Sequence, residues 1–323
     1  MRSARGDLRY IAWGDDYRAL VPILDYLTGA RRLAERVVLR SRLSLSRKQR
    51  AVPPEAQSQL DELRHHVGDS SSGFMLYTGY YKTTWFVGPV RPDNSGPRFL
   101  KLFKTEEDAR AEIDRSRAMN QVPGIGDGFD VVPGELFTST AVAYHPVTRS
   151  RVATEEDALI VGSAIARNSS LHSSSTSWHQ RAIAADRVSQ RRELSQGSQL
   201  SRHLVDETPC SPSHGDVTPW NIVPSETTLT LVDYERVGHR PAFFDLVYAA
   251  THAAALADTA PAVTRVHEVL AASGLPRSRA DQIVRAALSA SIVEAVEDLE
   301  EHPENAARVS TFIRRKYAFL EAT

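Results

Sequence analysis

The chain has 323 residues, 41% hydrophobic and 24% charged, the make-up of a globular protein with one large or two small domains. A formal net charge of −1 gives no global electrostatic case for nucleic acid or an anionic membrane. The single cysteine, Cys210, excludes an internal disulfide framework and a cysteine zinc site, and no apolar run reaches transmembrane length.

The start, Met1-Arg2-Ser3-Ala4-Arg5-Gly6-Asp7, lacks the apolar core of a signal peptide, so a cytoplasmic protein is the expectation. Residues 8–45 read as helical, with apolar positions at Tyr10, Ile11, Leu20, Val21, Ile23, Leu24, Tyr26, Leu27 and Leu33. Their later part is basic (Arg31, Arg32, Arg36, Arg40), as on a solvated face or one meeting a membrane surface or acidic partner. Pro53-Pro54 breaks the pattern, a polar helix follows to about His66, and Gly68 to Gly73 form a loop.

From 74 to 104 the pattern turns to strands: Phe74–Tyr77, Thr83–Val87 and Arg98–Phe103, with turn chemistry at Pro92-Asp93-Asn94-Ser95-Gly96. Thr105 then caps a helix running to about Gln121, with Glu106, Glu107 and Asp108 in its positive first turn. Two further strands are expected at 130–132 and 141–144. The remainder reads as mostly helical, at 155–171, 243–257, 261–273, 277–298 and 303–321, with a polar, Arg-rich stretch over 179–204.

The most informative window is His214-Gly215-Asp216-Val217-Thr218-Pro219-Trp220-Asn221, followed by Asp233-Tyr234-Glu235. A carboxylate to orient a hydroxyl, with an amide and a second carboxylate to hold Mg²⁺, is what ATP-dependent phosphoryl transfer needs. A second anchor is Lys101, inside the apolar strand Phe99-Leu100-Lys101-Leu102-Phe103, where an unpaired ammonium would be costly and calls for a partner. Glu112, inside the capped helix, ranks first as that partner. Lysines stand only at 48, 82, 101, 104 and 316 in an arginine-rich chain, so each one is more informative than usual.

Over roughly residues 70 to 300 this order resembles the aminoglycoside phosphotransferase and choline kinase-like phosphotransferases. The motif H-G-D-x-x-x-x-N matches at Asp216 and Asn221. Leu231-Val232-Asp233-Tyr234-Glu235 and Pro241-Ala242-Phe243-Phe244-Asp245-Leu246 are similar to the segments that follow it in that family. The resemblance implies an α+β, two-lobed protein-kinase-like fold, with a small antiparallel-sheet N-lobe carrying one helix and a mostly helical C-lobe. It sets residues 1–67 as a helical N-terminal extension, 68–145 as the nucleotide-binding lobe and 146–323 as the helical lobe with the catalytic loop and acceptor site. The extension would pack on the small lobe or help build a homodimer.

The resemblance further implies that Asp216 is the catalytic carboxylate and that Asn221 and Asp233 hold Mg²⁺. Lys101 and Glu112 would place the phosphates of ATP, with GTP as the alternative nucleotide. His214 and Asp245 would support the loop. Tyr144 falls where the family's hinge backbone reads the purine. The phosphate loop departs from a glycine-rich pattern: Tyr77-Thr78-Gly79-Tyr80-Tyr81 offers only Gly79. The implied partner is a small molecule with a hydroxyl group: a sugar, nucleoside, antibiotic or related metabolite. Arg181, Arg187, Arg191, Arg192 and Arg202 argue mildly against a polycationic acceptor. The rivals are a catalytically inactive kinase-like nucleotide-binding scaffold and a protein kinase; no Ala-Pro-Glu-like segment follows Asp233 to support the latter. His65, His66, His172, His179 and His203 lack metal-ligand spacing.

Overall fold

The computed structural model describes residues 101–103, 105–121, 129–136, 138–144, 151–168, 178–195 and 197–323, together with short strand segments elsewhere. In chain order the early elements are β1 (Tyr10–Trp13), β2 (Phe74–Thr78), β3 (Trp85–Pro89), β4 (Phe99–Leu102), α1 (Glu106–Asn120), β5 (Asp130–Val131), β6 (Glu135–Leu136) and β7 (Ala141–Tyr144). Then come α2 (Glu155–Asn168), β8 (His172–Ser173), α3 (Trp178–Arg191), β9 (Pro209–Ser213), β10 (Ile222–Pro224), β11 (Leu229–Leu231) and β12 (Gly238–Pro241). The chain closes with α4 (Phe244–Ala257), α5 (Val263–Ala272), α6 (Arg277–Glu301) and α7 (Ala306–Ala322). The architecture is α+β with small, largely antiparallel sheets.

Two compact units emerge. The first comprises Met1–Arg117, Val132–Val152 and Val223–Glu226; the second comprises Ala118–Val131, Ala153–Ile222 and Thr227–Thr323. The first unit holds a six-stranded sheet in the order β1-β2-β3-β4-β7-β6. Its strands pair antiparallel throughout, with Lys101 of β4 opposite Phe86 of β3 and Val142 of β7. α1 begins as its sequence dictates: the Asp108 N–H donates to Thr105 Oγ1 at 3.1 Å and the Thr105 hydroxyl to Asp108 Oδ2 at 2.8 Å. Helical spacing then puts Ala109, Glu112, Ile113 and Ser116 on one buried face. Ala109 and Ile113 join Phe103 and Val142 in a small core against which Tyr144 packs.

One expectation is corrected here. Tyr10–Trp13 falls inside the predicted N-terminal helix, yet it is a strand pairing antiparallel with Phe74–Tyr77 of β2. An aromatic and β-branched run supplies the edge partner that β2 would otherwise lack on that side. The rest of the 1–67 extension lies outside the described residues, as do Gly79 and the Pro92–Gly96 turn.

The second unit is built on helices. α2 is capped reciprocally by Thr154 and Asp157. It packs closely on α4, an almost wholly apolar and buried helix. Gly162 permits that approach: a Cβ there would stand 2.9 Å from the Asp245 carbonyl oxygen and 2.9 Å from Leu246 Cα. The Arg-rich stretch becomes α3 and is tied to α6. Arg181 grips Glu297 with both arms, at 2.8 and 2.6 Å, and Arg192 pairs with Glu300 at 2.7 Å. Three short strands missing from the sequence-based expectation, β8, β9 and β12, form a sheet in the order β12-β9-β8 that leads into and out of the His214–Asn221 segment. A parallel pairing of β11 with β5 sets Thr230 against Asp130.

Candidate active site

The segment from Ser213 to Asn221 is held from below by Asp245, at the start of α4. Its carboxylate accepts from the Ser213 hydroxyl (2.9 Å) and from the His214 and Gly215 N–H groups (2.8 and 2.9 Å). Asp245 is 2% exposed, so these three bonds are what make its burial tolerable. Gly215 has no substitute: its φ is +83°, and a Cβ would meet the Arg240 guanidinium at 2.5 Å and the Arg236 carbonyl at 2.6 Å. The Asp245→Ala variant orphans three buried donors and should cost roughly 3 kcal/mol or more, at about 1–3 kcal/mol per unsatisfied group. Chemical denaturation of the full chain checks this; an unchanged midpoint would refute it.

His214 is fully buried, its ring edge-on to Tyr234 at 5.7 Å, and its Nδ1 lies 3.3 Å from the Asp216 N–H. Pro219–Asn221 make a single 3₁₀ turn that swings Asn221 back onto Asp216. The Asn221 amide nitrogen donates to Asp216 Oδ2 at 2.9 Å and to the Asp216 carbonyl at 3.0 Å. With both amide hydrogens committed there, its side-chain oxygen points elsewhere. The Val232 N–H donates to the Asn221 carbonyl at 2.9 Å, which brings Asp233 alongside the loop across eleven intervening residues. Asp233 itself adopts φ +69°, an unfavourable left-handed conformation for a residue with a side chain. Asp216, Asn221 and Asp233 are therefore one cluster.

Asp216 is partly exposed as a residue, yet its Oδ1 is buried and has no hydrogen-bond partner among the described residues. Burial pushes its carboxyl up, and the neighbouring Asp233 adds to this. Arg236, the nearby Tyr248 phenol and the Asn221 amide pull it back, leaving a pKa of about 6. Arg236 is the counter-cation. Burial opposes its charge, but Tyr248, Asp298, Asp216 and Glu294 outweigh that and hold its pKa above the ordinary value. It donates to Asp298, and Glu294 is bound in turn by Arg240 at 2.8 Å. The carboxylates Glu294, Glu297, Asp298 and Glu300 on α6 are thus all engaged by arginines.

The first unit carries the other residues singled out from sequence. Lys101 and Glu112 are 1% and 0% exposed and form an ion pair at 2.9 Å. Glu112 Oε1 also accepts the Tyr144 hydroxyl at 2.8 Å, while its Oε2 is buried with no partner among the described residues. Tyr144 therefore meets the pair through its side chain.

Sequence reasoning missed Arg236, Tyr248 and Lys316. Arg236 lies three residues past Asp233, and Tyr248 lies one helical turn past Asp245. The signal for Lys316 was already available, since it is one of only five lysines.

No protein-family model and no curated relative matches the chain. Solved structures do. Choline kinase LicA from Streptococcus pneumoniae superposes with a TM-score of 0.51 at 11% identity, over 83% of this chain and 99% of that one. Plasmodium vivax ethanolamine kinase gives 0.49 at 10% identity, over 75% and 80%. A choline kinase from Cryptosporidium parvum gives 0.47 at 9% identity, over 83% and 97%. At such identities the likeness speaks to fold, and the first of these carries it. By its architecture and its clustered His-Gly-Asp, Asn and Asp residues, the chain has the fold of the aminoglycoside phosphotransferase and choline kinase-like phosphotransferases.

Proposed function

We propose that the protein is an ATP- and Mg²⁺-dependent phosphotransferase that moves the γ-phosphoryl group to a hydroxyl of a small molecule. The observation that carries this reading is the Asp216–Asn221–Asp233 cluster. It combines a carboxylate with a buried, unpartnered oxygen and two oxygen donors, from Asn221 and Asp233, of the kind Mg²⁺ takes. Mg²⁺ is usually held by one or two protein groups together with substrate phosphates, so this donor set fits it. Bound there, the metal would neutralise charge on the phosphates. Asp216 orients the acceptor hydroxyl and takes its proton as the oxygen–phosphorus bond forms and the bond to the leaving phosphate breaks. Its pKa of about 6 leaves it ionised at neutral pH and basic enough to help. The Lys101–Glu112 pair supplies a fixed ammonium for the nucleotide phosphates.

On the acceptor, the pairing of the α6 carboxylates with arginines favours a neutral or anionic hydroxyl compound over a polycation. Screening a metabolite and antibiotic library with ATP and Mg²⁺ by mass spectrometry should reveal a compound that gains one phosphoryl group. A companion measurement follows the melting temperature with ATP and Mg²⁺. The Asp233→Ala variant should lose most of the Mg²⁺-dependent increment while keeping its metal-free melting behaviour. An increment equal to that of the wild type would remove Asp233 from the metal site. If ATP stabilises the protein but no acceptor is modified and no ATP is hydrolysed, the inactive scaffold reading wins.

A further inference from the structure

One carboxylate on α6 holds both walls of the slot in which Gly215 sits. Glu294 accepts from the Arg240 guanidinium at 2.8 Å through Oε1, and the two side chains are only 11% and 8% exposed. Its Oε2 lies 3.9 Å from Arg236, which is anchored in turn on Asp298 at 2.5 Å. Arg240 also stands over the Phe244 ring, 5.1 Å from its centre. Both arginines then converge on one point of the loop. A Cβ on Gly215 would stand 2.5 Å from the Arg240 guanidinium and 2.6 Å from the Arg236 carbonyl oxygen, so each packs directly on the glycine. The Gly215 N–H is meanwhile held by Asp245 at 2.9 Å. Asp216 is the next residue, so the backbone that carries its side chain is walled by these three groups.

We propose that Glu294 is a positioning residue for Asp216: by holding Arg236 and Arg240 it closes the slot around Gly215 and fixes the backbone from which the carboxylate projects. The inference rests on the phosphotransfer reading of Asp216. A buried ion pair is a poor source of stability, because desolvation consumes most of the attraction and apolar side chains of the same volume fill such a space at lower cost. What the pair does supply is a fixed shape. A guanidinium is planar and its donors form a rigid fork, so Arg240 locked on Glu294 is a stiff wall where an apolar chain would be a soft one. Glu294 acts through its arginines and not on the reacting atoms. A shift of about 1 Å in a reacting group, caused from outside the site, is enough to cost about 100-fold in rate.

The test uses Mg²⁺·ATP hydrolysis by the full chain, with deuterium exchange of the same variants. Glu294→Ala should lower kcat about 10- to 100-fold with KM for ATP unchanged. It should also speed exchange in the peptide covering residues 213–221 and leave that of α2 unchanged. In an Asp216→Asn background the same substitution should lower the residual rate little further, within about 2-fold, because the group it positions is already gone. Arg240→Met removes one wall and leaves Glu294 its Arg236 partner; it should show the same pattern, and it carries the test should Glu294→Ala not fold. If both variants change the melting temperature alone, with wild-type kcat and wild-type exchange over 213–221, the cluster is merely structural and the proposal fails. A loss of kcat that is equally large with and without Asp216 also overturns it, since the effect then bypasses that carboxylate. If Asp216→Asn hydrolyses ATP at the wild-type rate, the phosphotransfer reading itself falls. An inactive Asp216→Asn beside wild-type-like Glu294→Ala and Arg240→Met overturns the role of Glu294 alone.

Discussion

Asp216→Asn is expected to lower phosphoryl transfer by about 10²- to 10⁴-fold, the usual worth of a positioned acid–base group, while raising the melting temperature of the nucleotide-free protein above pH 6. The two effects have one cause. Burial holds the folded pKa of Asp216 at about 6, against an ordinary 3.8, so the ionised carboxylate destabilises the fold at neutral pH. The sign is that of a raised acid: the penalty is fully present above the folded pKa and vanishes below the unfolded one. Asparagine removes it and still offers an oxygen to the Asn221 amide. The stability gain should therefore reach about 1–3 kcal/mol at pH 8 and disappear near pH 4. Thermal melts at the two pH values, beside the hydrolysis assay, check this. A variant that is inactive but no more stable at pH 8 would mean that Asp216 is not strained in the fold. One that is active would remove it from the chemistry.

Lys101→Met is the second large effect. It strands Glu112, 0% exposed, without its cation, and breaking one side of a buried pair costs about 3–5 kcal/mol. The double variant Lys101→Met/Glu112→Gln leaves no uncompensated charge and should regain most of that loss. If Lys101 also serves the nucleotide, the double variant will melt close to the wild type and yet gain little stability from ATP and Mg²⁺. A double variant stabilised by ATP as strongly as the wild type would confine the pair to a structural role. The comparison separates the two roles, because stability recovers with charge balance whereas phosphate binding requires the ammonium itself.

Much of this was legible beforehand, for physical reasons. Helix periodicity and caps are local, so α1, α2 and α4 to α7 begin and end within a few residues of where their sequences place them. The short strands β9 and β12 were invisible. Pro209-Cys210-Ser211-Pro212-Ser213 and Gly238-His239-Arg240-Pro241 carry no alternation, and they become strands by pairing with each other, and the first also with β8, on either side of the His214–Asn221 segment. Tyr10–Trp13 went wrong for the same reason, since an apolar run of that length fits either period until a sheet edge claims it.

The sequence by itself singled out the candidates: two carboxylates and an amide, because their spacing around one loop is a local property, and Lys101, because a lone charge stands out in an apolar strand. Tertiary structure alone decided their surroundings. Asp245 underpinning the loop, Arg236 beside Asp216, the arginines that engage the α6 carboxylates, and Lys316 reaching Tyr248 from the far end of the chain all join residues dozens of positions apart. Burial and charge at such sites are sums over packed neighbours, and no window of sequence contains them.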